Sequence, residues 1–176
     1  MLETRHSMIV DRPAVRFKPC DEPAMLRIAA GLAQPVLAGH LRVLTLSGEL
    51  GAGKTSFARG LLQALGVTGR IKSPSFAVAE RYDLDALVIH HIDLYRLSDP
   101  HAWRSAGLRE AFSEGLVVVE WPEHGHGLPS PDLAMRIDWA DPETPEGPRL
   151  LSAETDQPEV LACLEALTAL ANEAQA

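Results

Sequence analysis

A chain of 176 residues with 46% hydrophobic and 23% charged residues has the make-up of one globular domain, large enough to bury roughly 70% of the surface its unfolded form exposes. Sixteen basic against twenty-four acidic residues leave a net charge of −8, a field that repels polyanions and excludes a nucleic-acid binder working unaided, so any RNA is expected to be held by a partner. Glu3, Arg5, Asp11, Arg12, Arg16 and Lys18 stand where an apolar leader would be, no stretch approaches the ~18 apolar residues of a membrane span, and Cys20 and Cys163 lie far apart without CxxC spacing. The expectation is a cytoplasmic protein with no membrane contact, no disulfide and no zinc site.

A short strand is expected at Ala14 to Phe17, then a helix from Glu22 to Leu37 with Asp21 as its cap. "LRVLTLS", Leu41 to Ser47, reads as an apolar strand running straight into three closely spaced glycines. Phe57, Leu61, Leu62 and Leu65 then share one helical face that stops at Gly66. "SFAVAERY" (Ser75 to Tyr82) and "ALVIHHIDLY" (Ala86 to Tyr95) read as an antiparallel hairpin across the turn Asp83-Leu84-Asp85. Asp99 and Pro100 suit the start of a helix expected to reach Phe112. "GLVVVEW", Gly115 to Trp121, is an uninterrupted apolar run with three successive valines, the pattern of a strand buried on both faces. Weaker strands follow at Asp132 to Ala140 and Arg149 to Glu154, and a helix from Glu159 to about Ala171. The order predicts a single three-layer α/β domain of P-loop NTPase type with a mixed, partly parallel sheet. Residues 1–18 are taken as an N-terminal extension, 19–156 as the domain, and 157–176 as a C-terminal helix packed on it or trailing it.

Gly48-Glu49-Leu50-Gly51-Ala52-Gly53-Lys54-Thr55 matches G-x-x-x-x-G-K-[ST] in full, between an expected strand and an expected helix. Glycine lets successive backbone N–H groups turn inward as an anion-binding concavity, and the helix start adds about half a positive charge. A polyphosphate fits there, with Lys54 reaching its β- and γ-phosphates and the Thr55 hydroxyl on Mg²⁺. A plain glycine turn entering a helix does not account for Lys54-Thr55.

Magnesium takes about six oxygens, so a carboxylate from a neighbouring strand end is needed. Asp93 follows "LVIHHI" and Glu120 follows "LVVV". Glu120 ends the cleaner buried strand and is the preferred metal-facing acid, with Asp93 beside it in an outer or water-positioning role. Exchanging the two leaves the reaction class unchanged, and the alternative for each is a solvated strand-end carboxylate. In "KSPSF", Lys72 to Phe76, Pro74 keeps Ser73 extended, and either serine hydroxyl can meet the γ-phosphate or its metal; an ordinary turn is the alternative. His90 and His91 lie in a strand and point to opposite faces, which makes packing and surface exposure their default. "HGHG", His124 to Gly127, lacks a third metal ligand and reads as a loop.

Gly48 to Thr55, "KSPSF", "HIDLYRL" (His91 to Leu97), "GLREAF" (Gly107 to Phe112) and "VVEWPEHG" (Val118 to Gly125) together resemble the bacterial TsaE (formerly YjeE) family, in unbroken order from about Asp21 to Asp138. The resemblance implies a P-loop ATPase of tRNA threonylcarbamoyladenosine biosynthesis. It hydrolyses ATP slowly and works with two other proteins, of TsaB and TsaD type, to modify the adenosine beside the anticodon of tRNAs reading codons that start with A. It implies Thr55 and Glu120 as magnesium ligands, Lys54 as the phosphate contact, and Lys54, Asp93 and Glu120 as the residues of hydrolysis. The implied nucleotide-binding set is Glu49, Leu50, Gly51, Ala52, Gly53, Lys54, Thr55, Ser56, Ser75 and Trp121, where Ser75 stands in place of the family's usual threonine. Trp121 either reports nucleotide state or packs at the strand end, and Arg96 meets a phosphate, a partner or a surface carboxylate.

ATP and Mg²⁺ are thus the expected cofactors, and tRNA is reached only indirectly. A small-molecule kinase shares the loop but needs an acceptor site, for which Arg104 and Arg109 are the only compact basic pair. A GTPase is disfavoured, because N-K-x-D needs an asparagine and the only one is Asn172. A scaffold that binds ATP without hydrolysing it is the third reading.

Overall fold

The structure, a computed structural model, describes residues 12–74, 78–105, 107–144 and 146–173. Its frame is a seven-stranded sheet in the order β1-β7-β6-β2-β5-β4-β3. These strands are β1 (Ala14–Arg16), β2 (Val43–Ser47), β3 (Ala79–Leu84), β4 (Leu87–Asp93), β5 (Leu116–Glu120), β6 (Leu133–Trp139) and β7 (Arg149–Thr155). β2 runs parallel to both β5 and β6, and β4 parallel to β5. The outer pairs β3–β4, β6–β7 and β1–β7 are antiparallel. The mixed, partly parallel α/β sheet is the one the sequence predicts.

Alternation along the strands loads the two faces differently. One face carries Leu44, Leu46, Val118, Leu133, Met135 and Ile137, packed against α1 (Glu22–Gly31), α3 (Lys54–Ala64) and α5 (Pro158–Glu173) through Met25, Ile28, Phe57, Leu61, Val160 and Leu164. The other carries Ile92, Val117 and Val119, covered by Leu94, Trp103 and Ala111. Its cover is thin: the helical elements there among the described residues are short, the one-turn α4 (Ala102–Ser105) and a 3₁₀ turn at Glu110–Ser113. β5 is buried at every residue, as a strand between two parallel neighbours must be.

Four local expectations are corrected. The helix expected over 22–37 is two, α1 and then α2 (Ala33–Leu37) after Leu32. Pro35 has no N–H to give the Gly31 carbonyl four residues back, and the Cys163 thiol approaches that oxygen at 3.6 Å instead. The hairpin turns at Asp85-Ala86, with Leu84 opposite Leu87, so Asp83 and Leu84 belong to β3. The helix expected to reach Phe112 ends at Ser105, and Gly107 at φ +73° marks the break before the 3₁₀ turn. Asp99 accepts from the His101 N–H at 2.9 Å, in the turn that precedes Ala102. The strand expected from Ser75 begins at Ala79, after Val78, whose N–H closes on the Pro74 carbonyl at 2.7 Å. Ser75, Phe76 and Ala77 lie outside the described residues. Among the described residues no helix is long and apolar enough to cross a membrane.

Candidate nucleotide site

Parallel pairing brings three strand ends to one edge. Leu46 lies opposite Glu120, and Glu120 opposite Asp93, so the loop after β2 meets the two acids at the carboxyl ends of β5 and β4. Open α/β sheets bind their ligands at such an edge. Gly48, Gly51 and Gly53 hold φ of +121°, +79° and +113°, and α3 starts at Lys54 with its first N–H groups unpaired within the helix. Gly48 is pressed against β6: a Cβ there would lie 1.9 Å from the Ile137 carbonyl oxygen. The next N–H, of Glu49, donates to Asp138 Oδ1 at 3.3 Å and ties the loop to the end of β6.

Lys54 closes the loop from inside. Its Nζ donates to the carbonyls of Gly48 and Glu49, each at 2.7 Å, and sits 3.7 Å from the centroid of the Trp121 ring. At 4% exposure the ammonium is largely desolvated, and that burial lowers its pKa against the opposing pull of Glu120, Glu123, Asp93 and Asp138. Trp121, at φ 58° and ψ 51°, turns the chain off β5, packs on Tyr95 with ring centroids 4.8 Å apart, and approaches His124. His124 Nδ1 lies 3.2 Å and 3.1 Å from the carbonyls of Leu94 and Tyr95, consistent with a loop role for "HGHG".

Glu120 is 2% exposed and engaged at both oxygens: Thr55 Oγ1 donates to Oε2 and His91 Nε2 to Oε1, each at 2.8 Å. Asp93 accepts from Ser73 Oγ on Oδ2 and from the Tyr95 N–H at 2.9 Å on Oδ1. A cleft of about 380 Å³ opens between these groups, lined by Leu50, Gly51, Gly53, Lys54, Thr55, Ser56, Ser73, Asp93, Tyr95, Arg96, Glu120 and Trp121. Of the expected set, Glu49 and Ala52 are not among the residues lining the cleft: Glu49 is exposed and Ala52 is wholly buried. Ser75 is outside the described residues, and Ser73 is the serine of "KSPSF" seen at the cleft.

The donor set suits a hard divalent cation. Hydroxyl and carboxylate oxygens from Thr55, Glu120, Asp93 and Ser73 converge, with no thiol among them. Among the described residues no group of three or more His, Cys, Asp or Glu is arranged to hold a metal. That is the sparse protein ligation magnesium has when phosphates supply the remaining oxygens. Arg104 and Arg109 line a different cleft, with Trp103, Phe112 and Leu128.

Two residues at the site were not expected from sequence, His91 and Asp138. His91 left only a partial signal: it stands two residues before Asp93 and so on the same face of β4, but its partner Glu120 lies on another strand. Asp138 left none, because its approach depends on β6 lying beside β2, which no local pattern states. His90 faces away and lies 3.4 Å from Glu114, as strand alternation requires.

Comparison with known proteins bears on the family and the fold. A family model described as "Threonylcarbamoyl adenosine biosynthesis protein TsaE" matches residues 20–146. The tRNA threonylcarbamoyladenosine biosynthesis protein TsaE of Haemophilus influenzae is 40% identical over 126 residues, which span 69% of this chain and 80% of that protein. The protein of the same name from Bacillus subtilis is 38% identical over 104 residues, 58% of this chain and 61% of that one. A crystal structure of Bacillus subtilis YdiB superposes with a TM-score of 0.67 at 27% identity, covering 89% of this chain and 95% of that one.

Proposed function

Because the chain belongs to the TsaE family and so to tRNA threonylcarbamoyladenosine biosynthesis, we propose that it binds ATP with Mg²⁺ in the cleft, hydrolyses it slowly, and acts as a nucleotide-dependent switch for the transferase. The observation that carries this reading is the convergence on one strand edge of a glycine loop, a buried lysine and the Thr55–Glu120 pair. The loop amides and the start of α3 bind the polyphosphate, and Lys54 exchanges its two carbonyl partners for phosphate oxygens. Thr55 and Glu120 hold the metal. Magnesium bound there would neutralise charge on the polyphosphate. Asp93, fixed by Ser73 and the Tyr95 amide, orients the attacking water. Trp121 covers the lysine, and its ring must shift when nucleotide enters.

Arg96 lines the cleft beside these groups. A partner's arginine adds ~10³ to 10⁵ in such reactions, which makes weak turnover by the chain alone the expected state. The partners are proteins of TsaB and TsaD type, tRNA is met through them, and the setting is the cytoplasm. A kinase needs an acceptor site beside the γ-phosphate, whereas Arg104 and Arg109 open onto another cleft.

Calorimetry with a non-hydrolysable ATP analogue tests the premise. Binding is expected to require magnesium and to fall at least about tenfold in Lys54→Ala, the loss of one charge-assisted phosphate contact. Free phosphate is expected as the product, with a rate that rises when the two partners are added. Magnesium-independent binding untouched by Lys54→Ala would sink the reading.

A further inference from the structure

His91 has no part in the chemistry above, yet it is wholly buried beside it. Its Nε2 donates to Glu120 Oε1 at 2.8 Å, while Thr55 Oγ1 donates to Oε2 of the same carboxylate at 2.8 Å. Glu120 is therefore gripped at both oxygens, from the neighbouring strand on one side and from the start of α3 on the other. The remaining ring nitrogen, Nδ1, is buried with no hydrogen-bond partner among the described residues. Packing does not explain an imidazole here. Ile89, two residues earlier on the same face, is wholly buried with an aliphatic side chain, and a similar one at 91 would leave no orphan nitrogen. Among the described residues, the hydrogen bond of the His91 side chain goes to Glu120.

We infer that His91 is a positioning residue for Glu120: by anchoring Oε1 it keeps Oε2 against the Thr55 hydroxyl, so that the two oxygen donors to the divalent cation stand preformed before nucleotide arrives. This rests on the proposed function, and deepens it at one atom. Outer partners that orient a metal-ligating carboxylate are worth about 10- to 100-fold in metal affinity. The carboxylate of a glutamate has three rotatable bonds, and with one oxygen released it no longer has a single orientation at the cleft.

The test titrates Mg²⁺ into the full chain saturated with a non-hydrolysable ATP analogue, with a parallel titration of the analogue in EDTA. His91→Leu is expected to weaken apparent Mg²⁺ affinity about 10- to 100-fold and to leave magnesium-free analogue affinity unchanged. His91→Gln, whose amide N–H extends toward the place of Nε2, is expected to restore most of the loss. His91→Asn, whose shorter amide falls near Nδ1, should behave as the leucine variant does; if the leucine variant fails to fold, the asparagine–glutamine contrast decides. Circular dichroism verifies folding. A folded leucine or asparagine variant with wild-type Mg²⁺ affinity overturns the role of His91. So does a loss that falls equally on the EDTA arm or is shared by His91→Gln. A wild-type chain with no magnesium-dependent binding overturns the proposed function itself, and this role with it.

Discussion

Gly48 and Gly51 belong to one motif, but the structure gives each a different reason to lack a side chain. At Gly48 a Cβ would lie 1.9 Å from the Ile137 carbonyl oxygen, and φ is +121°, so alanine meets both backbone collision and conformational strain. At Gly51 φ is +79° and nothing lies within 4 Å of the added atom, which leaves the left-handed penalty of roughly 1–2 kcal/mol alone. Gly48→Ala is therefore expected to destabilise the free protein by more than about 3 kcal/mol, Gly51→Ala by about 1 kcal/mol, read from urea midpoints at unchanged slope. Equal losses would mean that the β6 contact does not constrain the loop. At this scale the site was largely legible. Lys54, Thr55, Asp93 and Glu120 carry chemistry in their residue types and spacing, and the structure brings all four to one cleft. His91 escaped because a buried histidine in a strand is usually packing, and only its partner across the sheet separates the two cases.

Whole elements were readable wherever burial alone decides them. β5 announces itself because both its faces are covered, and no polar residue interrupts the run from Leu116 to Val119. The segment after Asp99 was misread for the opposite reason: its cap and proline signal a helix start, but nothing in the apolar spacing outweighs Gly107, and the chain yields one turn of helix and a 3₁₀ turn. α5 shows how far a single amphipathic helix depends on a few contacts. Val160 and Leu164 are wholly buried against the sheet, whereas Leu170 near the end is 62% exposed. Leu164→Ala is expected to cost about 2–5 kcal/mol, the range for a leucine deleted from a packed core. Leu170→Ala should stay within about 0.5 kcal/mol. Both are checked by denaturant unfolding, and a small effect at Leu164 would mean that α5 is not part of the cooperative unit.

At the scale of the molecule, topology and charge act together. The order β6-β2-β5-β4 joins strands far apart in sequence, and it is this non-local pairing, silent in any local pattern, that brings Gly48, Glu120 and Asp93 to one edge. The net charge of the chain is legible from composition, and the structure shows how part of it is paired locally. Arg12 pairs with Asp156, Arg81 with Asp83 and Glu114, and Arg136 with Asp138, so several of the sixteen basic side chains are already matched to carboxylates. Phosphate-backbone affinity comes from cations free to displace counterions, and with a net charge of −8 the long-range field opposes a polyanion's approach. The chain alone is therefore expected to bind fluorescently labelled tRNA no more tightly than about 10⁻⁴ M at 0.15 M salt, the weak end of non-specific binding, by anisotropy titration. With the proposed TsaB- and TsaD-type partners present, its anisotropy-detected association with tRNA should appear and depend on ATP and magnesium. Micromolar binding by the chain alone, with a steep salt dependence, would place a cationic face on the molecule and would make tRNA a direct ligand.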